Sequence, residues 1–118
     1  MNLKKRIQSF GFAFEGLSTL LRTQENAIIH VIAMIGVVIV GFLLHLSVTE
    51  WLFIVFACSM VLAAEAFNTA IEFIVDLVSP NYHPLAGKAK DVAAAAVLIT
   101  ASGAAIVGLI IFIPKILS

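Results

Sequence analysis

The chain has 118 residues, 62% of them hydrophobic and 12% charged, with a mean hydropathy of +1.12. A water-soluble fold of this size keeps too much of its surface wet to hide so much apolar side chain, so an ordinary soluble domain is excluded and the bilayer is the expected solvent. Seven bases balance seven acids, which gives no reason to expect a nucleic-acid partner.

The basic start "MNLKKR" leads into "IQSFGFAFEGLSTLLRTQEN", where Glu15, Arg22 and Glu25 interrupt any clean apolar core, so this is read as a retained segment and not a secretory signal. Across residues 3 to 24, Ile7, Phe10, Phe14, Leu17, Leu20 and Leu21 recur at helical spacing, with Lys5, Glu15 and Arg22 between them. That pattern predicts an amphipathic helix suited to the inner membrane face, or one packed only against the protein.

Three long apolar runs follow, each near the roughly 20 residues that a membrane-spanning helix needs. They are "AIIHVIAMIGVVIVGFLLHL" at 27 to 46, a second run at about 50 to 78, and "DVAAAAVLITASGAAIVGLIIFI" at 91 to 113. A tight hairpin around "SVTE" joins the first two. "SPNYHPLAGKAK" joins the last two, with Pro80 and Pro84 read as helix stops. Trp51 reads as an interfacial anchor, the lone Cys58 as packing, and His30 and His45 as interfacial or packing residues. The expectation is one all-α domain, residues 1–118, with three spans.

Lys4, Lys5, Arg6 and Arg22 precede the first span, Lys88 and Lys90 separate the second from the third, and only Lys115 falls on the other side. The positive-inside rule then puts the N-terminus and the 79 to 90 loop in the cytoplasm.

The second run is unusual. Its first half, "WLFIVFACSMVLAA", has no charge, and its second half is "EAFNTAIEFIVD". On a helix turning ~100° per residue, with Glu65 at zero, Asn68 falls near −60°, Glu72 near −20°, Asp76 near +20° and Thr69 near +40°. All five share one face that extends ~16 Å toward the cytoplasmic edge. Each acid in lipid would cost roughly 2.5 to 3.5 kcal/mol if left uncompensated. A purely structural role would need bases in a neighbouring span, and neither other apolar run carries Lys or Arg.

The remaining partners are a divalent cation and the bases of "HPLAGKAKD". Mg²⁺ takes one or two carboxylates and completes its shell with water and phosphate oxygens. Glu25, at the entrance to the first span, could join it. Carboxylates, an amide and lysines at one membrane boundary suit phosphoryl transfer, although neither a P-loop nor the protein-kinase motifs are present.

The stretch "EAFNTAIEFIVDLVSPNYHPLAGKAKDVAAAAVL", residues 65 to 98, closely resembles the signature of the prokaryotic diacylglycerol kinase family of small integral-membrane lipid kinases. The resemblance implies an ATP- and Mg²⁺-dependent enzyme of the bacterial cytoplasmic membrane, with a cytoplasmic active site, that phosphorylates a lipid alcohol. It assigns Glu65 as general base on the lipid hydroxyl and Glu25 with Glu72 as the metal pair. Phe12, Asn68, Asp76, Asn81, Tyr82, His83, Lys90 and Asp91 join Glu25 and Glu72 around the nucleotide, and Arg6 joins Glu65 around the lipid. It further implies a homotrimer with sites where subunits meet, which the small residues "AAAA…ASGAA" would permit, although packing within one subunit explains them equally.

Phe12 departs from the Tyr typical of Gram-negative members. "RIQSFGFAFEGL", "ENAIIH" and "GLIIFIPK" resemble the undecaprenol kinase branch, which favours undecaprenol over diacylglycerol as acceptor. A competing class is a small proton- or cation-coupled transporter, because intramembrane carboxylates also mark ion paths.

Overall fold

The computed structural model describes residues 2–118. Among them are four α-helices and no strand: α1 (Leu3–Thr23), α2 (Glu25–Leu43), α3 (Val48–Val78) and α4 (Pro84–Leu117). The last three are long and apolar enough to cross a membrane. Asn2 caps α1 by accepting a 3.0 Å hydrogen bond from the Lys4 N–H. Gln24 alone, in extended conformation, separates α1 from α2. On α1 only Leu20 is buried, while Ile7, Phe10, Phe14 and Leu17 remain uncovered.

The first span ends at Leu43, three residues before the expected boundary, for a local reason. His45 adopts left-handed backbone (φ 54°), and the N–H groups of Leu46 and His45 return to the carbonyls of Gly41 and Phe42. This is a Schellman stop, which satisfies carbonyls that the helix end would orphan. It folds Leu46 inward to pack with Ile54 and Ile111. Two residues later α3 begins under a capping box. Ser47 Oγ accepts from the Glu50 N–H at 3.2 Å, and Glu50 Oε1 accepts from the Ser47 N–H at 2.9 Å.

The connection from α3 to α4 is shorter than expected. Pro84 does not stop a helix. It is the first residue of one, a position where its fixed φ fits and its missing N–H costs nothing. His83 caps this helix, its Nδ1 accepting from the Leu85 N–H at 3.1 Å. The expected loop of residues 79 to 90 therefore reduces to 79–83, and Gly87, Lys88 and Lys90 stand on the first turns of α4.

α3 and α4 form the main antiparallel pair, and ion pairs close both ends. Lys90 Nζ lies 2.6 Å from Asp76 Oδ1, and Lys115 Nζ lies 3.1 Å from Glu50 Oε1. The two acids and the two bases are spaced almost equally along their helices, at ~38 Å. That separation exceeds the roughly 30 Å of a hydrocarbon core, enough for both pairs to reach polar boundaries if the helices cross one. α2 also packs on α3, where Trp51 lies against Gly41 and Phe42.

The radius of gyration, 17.5 Å, exceeds the roughly 13–14 Å expected of a compact domain of this length. Most large apolar side chains are exposed on the single chain. Lipid or further protein must cover them.

Candidate functional site

The polar residues of α3 begin well inside the apolar zone. From Trp51 to Glu65 the helix rises ~21 Å, so Glu65 lies within a ~30 Å slab while Glu72 and Asp76 reach its edge. Glu65 is 2% exposed and Thr69 4%. Glu65 Oε1, Asn68 Oδ1 and Thr69 Oγ1 are all sealed from solvent and accept or donate no hydrogen bond within the described residues. A buried polar group left unpaired costs about 1–3 kcal/mol. Three within about one helical turn are a concentrated expense at one place.

One side chain approaches them. His30 Nε2, on α2, lies 3.2 Å from Glu65 Oε1, within ion-pair distance but not aligned as a hydrogen bond. This differs from the sequence reading of His30 as an interfacial or packing residue. Periodicity could not have found it, because α2 is apolar nearly all round and only burial in the structure singles out one stripe. His30 shares a stripe with Ala27, Met34, Val37 and Gly41 at helical spacing, and buried Ala27 and Gly41 mark that stripe as the inward face of α2.

Nearer the membrane edge, Asp76, Asn81, Tyr82, His83 and Lys90 line a shallow recess of about 200 Å³. Five residues assigned to the nucleotide by resemblance therefore come together. Glu72 is close enough to Lys90 for its charge to act on it. The recess is smaller than the 300–1,000 Å³ of typical ligand pockets, so a nucleotide would need walls beyond those of one chain.

Other candidates are not gathered here. Glu25 is exposed and stands ~160° round α2 from the inward stripe. Phe12 is exposed on α1, and Asp91 is exposed on α4. The Arg6 side chain makes no hydrogen bond or ion pair with any described residue.

The donor set can be tested against a magnesium ion. Among the described residues, no three of His, Cys, Asp and Glu converge on one point. Neither Glu25 nor Glu72 has a Lys, Arg or His within 4 Å. Glu25 and Glu72 are hard oxygen donors outside any closed cage, a set compatible with a cation that draws its other oxygens from phosphate and water.

Two apolar cavities adjoin the polar face. One, of about 550 Å³ between α1 and α3, is lined by Ala13, Gly16, Leu20, Leu62, Ala66 and Thr69 among others. The second, of about 400 Å³, runs between α2, α3 and α4 past Met34, Val37, Cys58, Ala104 and Phe112, and His30 is also part of its wall.

A family model described as prokaryotic diacylglycerol kinase matches residues 11–112. An undecaprenol kinase of Bacillus subtilis is 42% identical over 114 residues, covering 97% of this chain and 93% of that protein. A diacylglycerol kinase of Synechocystis is 40% identical over 93% of this chain, which spans 63% of that protein's length. The diacylglycerol kinase of Escherichia coli K12 is 29% identical over 79% of this chain and 76% of its own.

Proposed function

The chain belongs to the prokaryotic diacylglycerol kinase family, and we infer from this that it is a multi-pass membrane lipid kinase that moves the γ-phosphoryl group of ATP to a lipid hydroxyl. Undecaprenol is the favoured acceptor, in line with the Bacillus subtilis relative, and diacylglycerol is second. The observation that carries the site is the unpaired polar face of Glu65, Asn68 and Thr69, with the Asp76–Lys90 recess beyond it at the membrane edge. Such a face is suited to a lipid headgroup on one side and phosphates on the other.

In the proposed reaction the buried Glu65 carboxylate takes the proton of the lipid hydroxyl. The freed oxygen pair bonds to the γ-phosphorus, and the bond to the β-phosphate bridging oxygen breaks with its electrons leaving on ADP. Lys90 exchanges Asp76 for phosphate oxygens and offsets their charge, while Asn68, Asn81, Tyr82 and His83 surround the nucleotide. Glu25 and Glu72 would hold Mg²⁺, which neutralises phosphate charge when bound. The outward placement of Glu25, the small recess and the uncovered apolar surface support a homotrimer in which a second copy completes each site. The N-terminus and active site are assigned to the cytoplasmic face of the bacterial inner membrane, where Arg6 and the uncovered stripe of α1 meet the lipid surface.

An ion path would need polar groups beyond Glu65 toward Trp51, and residues 51 to 64 carry no charge. Purified protein in mixed micelles with Mg²⁺ and γ-labelled ATP tests the reading. Label should pass to undecaprenol faster than to diacylglycerol, and label on neither lipid would end the kinase proposal.

A further inference from the structure

We infer that His30 is a positioning residue for Glu65, holding the base carboxylate at the end of the apolar groove that the lipid chain would enter. This rests on the lipid-kinase reading above and adds a residue to its machinery. A carboxylate that is 2% exposed inside an apolar helix bundle needs some group to fix its orientation.

Of the Lys, Arg and His residues, the surrounding elements leave one supplier, and Thr69 Oγ1, a turn further along α3, makes no hydrogen bond. No Lys or Arg of the described residues lies within 4 Å of Glu65. On α4, Thr100 stands level with Glu65 when the register is counted from the two ion pairs. Its Oγ1, however, donates to its own helix at the Ala96 and Val97 carbonyls, both at 3.0 Å. On α1, Thr19 likewise donates to the Glu15 carbonyl at 3.0 Å. His30 Nε2, at 3.2 Å, is the one Lys, Arg or His nitrogen of the described residues within 4 Å.

The position of His30 is also particular. Its side chain is 25% exposed and forms part of the groove wall, whereas Glu65 is not part of that wall. The ring therefore stands between an apolar channel and a sealed carboxylate. A modest shift of the ring converts the present 3.2 Å approach into an N–H···O⁻ bond to Oε1. That bond would fix one carboxylate oxygen and leave the other for the incoming hydroxyl. The expected signature is a loss in turnover without a loss in nucleotide affinity.

Two measurements on the detergent-solubilised full chain decide this. In steady-state kinetics with undecaprenol, His30→Leu should lower kcat roughly tenfold or more, with KM for ATP unchanged within about twofold. His30→Gln, which keeps a side-chain N–H at similar reach, should recover most of that loss. In protein carrying ¹⁵N-histidine, Glu65→Gln should move the His30 ring resonances and leave those of His45 and His83 in place. Full kcat in His30→Leu, or His30 resonances indifferent to Glu65→Gln, overturns the inference. If His30→Leu does not fold, the Gln variant and the resonance shift still decide it. Wild-type protein that labels no lipid alcohol would instead defeat the kinase reading, and the ¹⁵N experiment would still report on the contact.

Discussion

His30 Nε2 lies 3.2 Å from Glu65 Oε1, which ties the inward face of α2 to the one fully buried acid of α3. The contact places a titratable ring beside a carboxylate whose oxygen has no other partner. It lies within the apolar zone, two helical turns short of Glu72.

Glu65→Gln preserves the shape of the side chain and removes its basicity. Transfer to lipid should fall by roughly 10²-fold or more, the ordinary contribution of a general base. The circular dichroism spectrum and elution volume should stay as in wild type. Retained turnover in a folded Glu65→Gln protein would remove Glu65 from the base role.

Glu72→Gln is expected to abolish transfer, or to raise the Mg²⁺ concentration needed for half-maximal rate, because a neutral amide binds a hard cation poorly. A magnesium titration at saturating ATP reads this out. A variant with the wild-type Mg²⁺ dependence and full rate shows that Glu72 is not a metal ligand.

The two end pairs of α3 and α4 should separate on mutation. Glu50–Lys115 is remote from the acid face, so Lys115→Met should lower Tm by a few degrees at most and leave kcat intact, with the Tm difference shrinking at high salt. Asp76→Asn, at an exposed pair, should likewise change Tm little but raise KM for ATP, since the pair lines the recess. Equal effects of the two variants on KM for ATP would contradict a nucleotide role for Asp76.

Gly41 has no room for a side chain. A Cβ there would come 2.6 Å from Trp51 Cη2 and 3.0 Å from Leu46 Cδ1. Trp51 also packs on Phe42, with ring centroids 4.9 Å apart, so it is not free to move aside. Gly41→Ala should destabilise by about 1–3 kcal/mol in reversible unfolding, and Trp51→Phe should recover part of that in the double variant. Additive losses in the double variant would show that the two residues do not clash.

His45→Gly should stabilise the chain by a few tenths to about 1 kcal/mol, because φ 54° is costly for a residue with a Cβ and free for glycine. Thermal unfolding compared with wild type measures the gain. A lower Tm would mean that the imidazole contributes more at this turn than its backbone costs.

Local patterns carried much of the fold. Three apolar runs became three long helices, and "NLKKRIQ" became the capped start of a fourth. The boundaries differ from the apolar runs where a short-range rule acts: Ser47 with Glu50 is a capping box, and Pro84 after His83 starts a helix as readily as it ends one. The lining of the site was partly legible. Asp76, Asn81, Tyr82, His83 and Lys90 lie close in the sequence, and a five-residue turn brings them to one recess. Phe12 and the lipid role of Arg6 came from resemblance alone and Glu25 from its place at the entrance to the first span, and in the isolated chain all three stand apart from that recess.

By itself the sequence determined that the chain is helical, that three of its helices suit a bilayer, and that the acids of α3 share one face. Those properties follow from composition and from a period of ~3.6 residues, which any helix expresses without reference to its neighbours. Only the tertiary structure decided which face meets which. It set His30 on Glu65, left Glu25 pointing away, and matched Asp76 to Lys90 and Glu50 to Lys115 at opposite ends of one helix pair. Such relations depend on the side-by-side packing of helices far apart in sequence, and periodicity within one helix has no information about its partner's rotation or register.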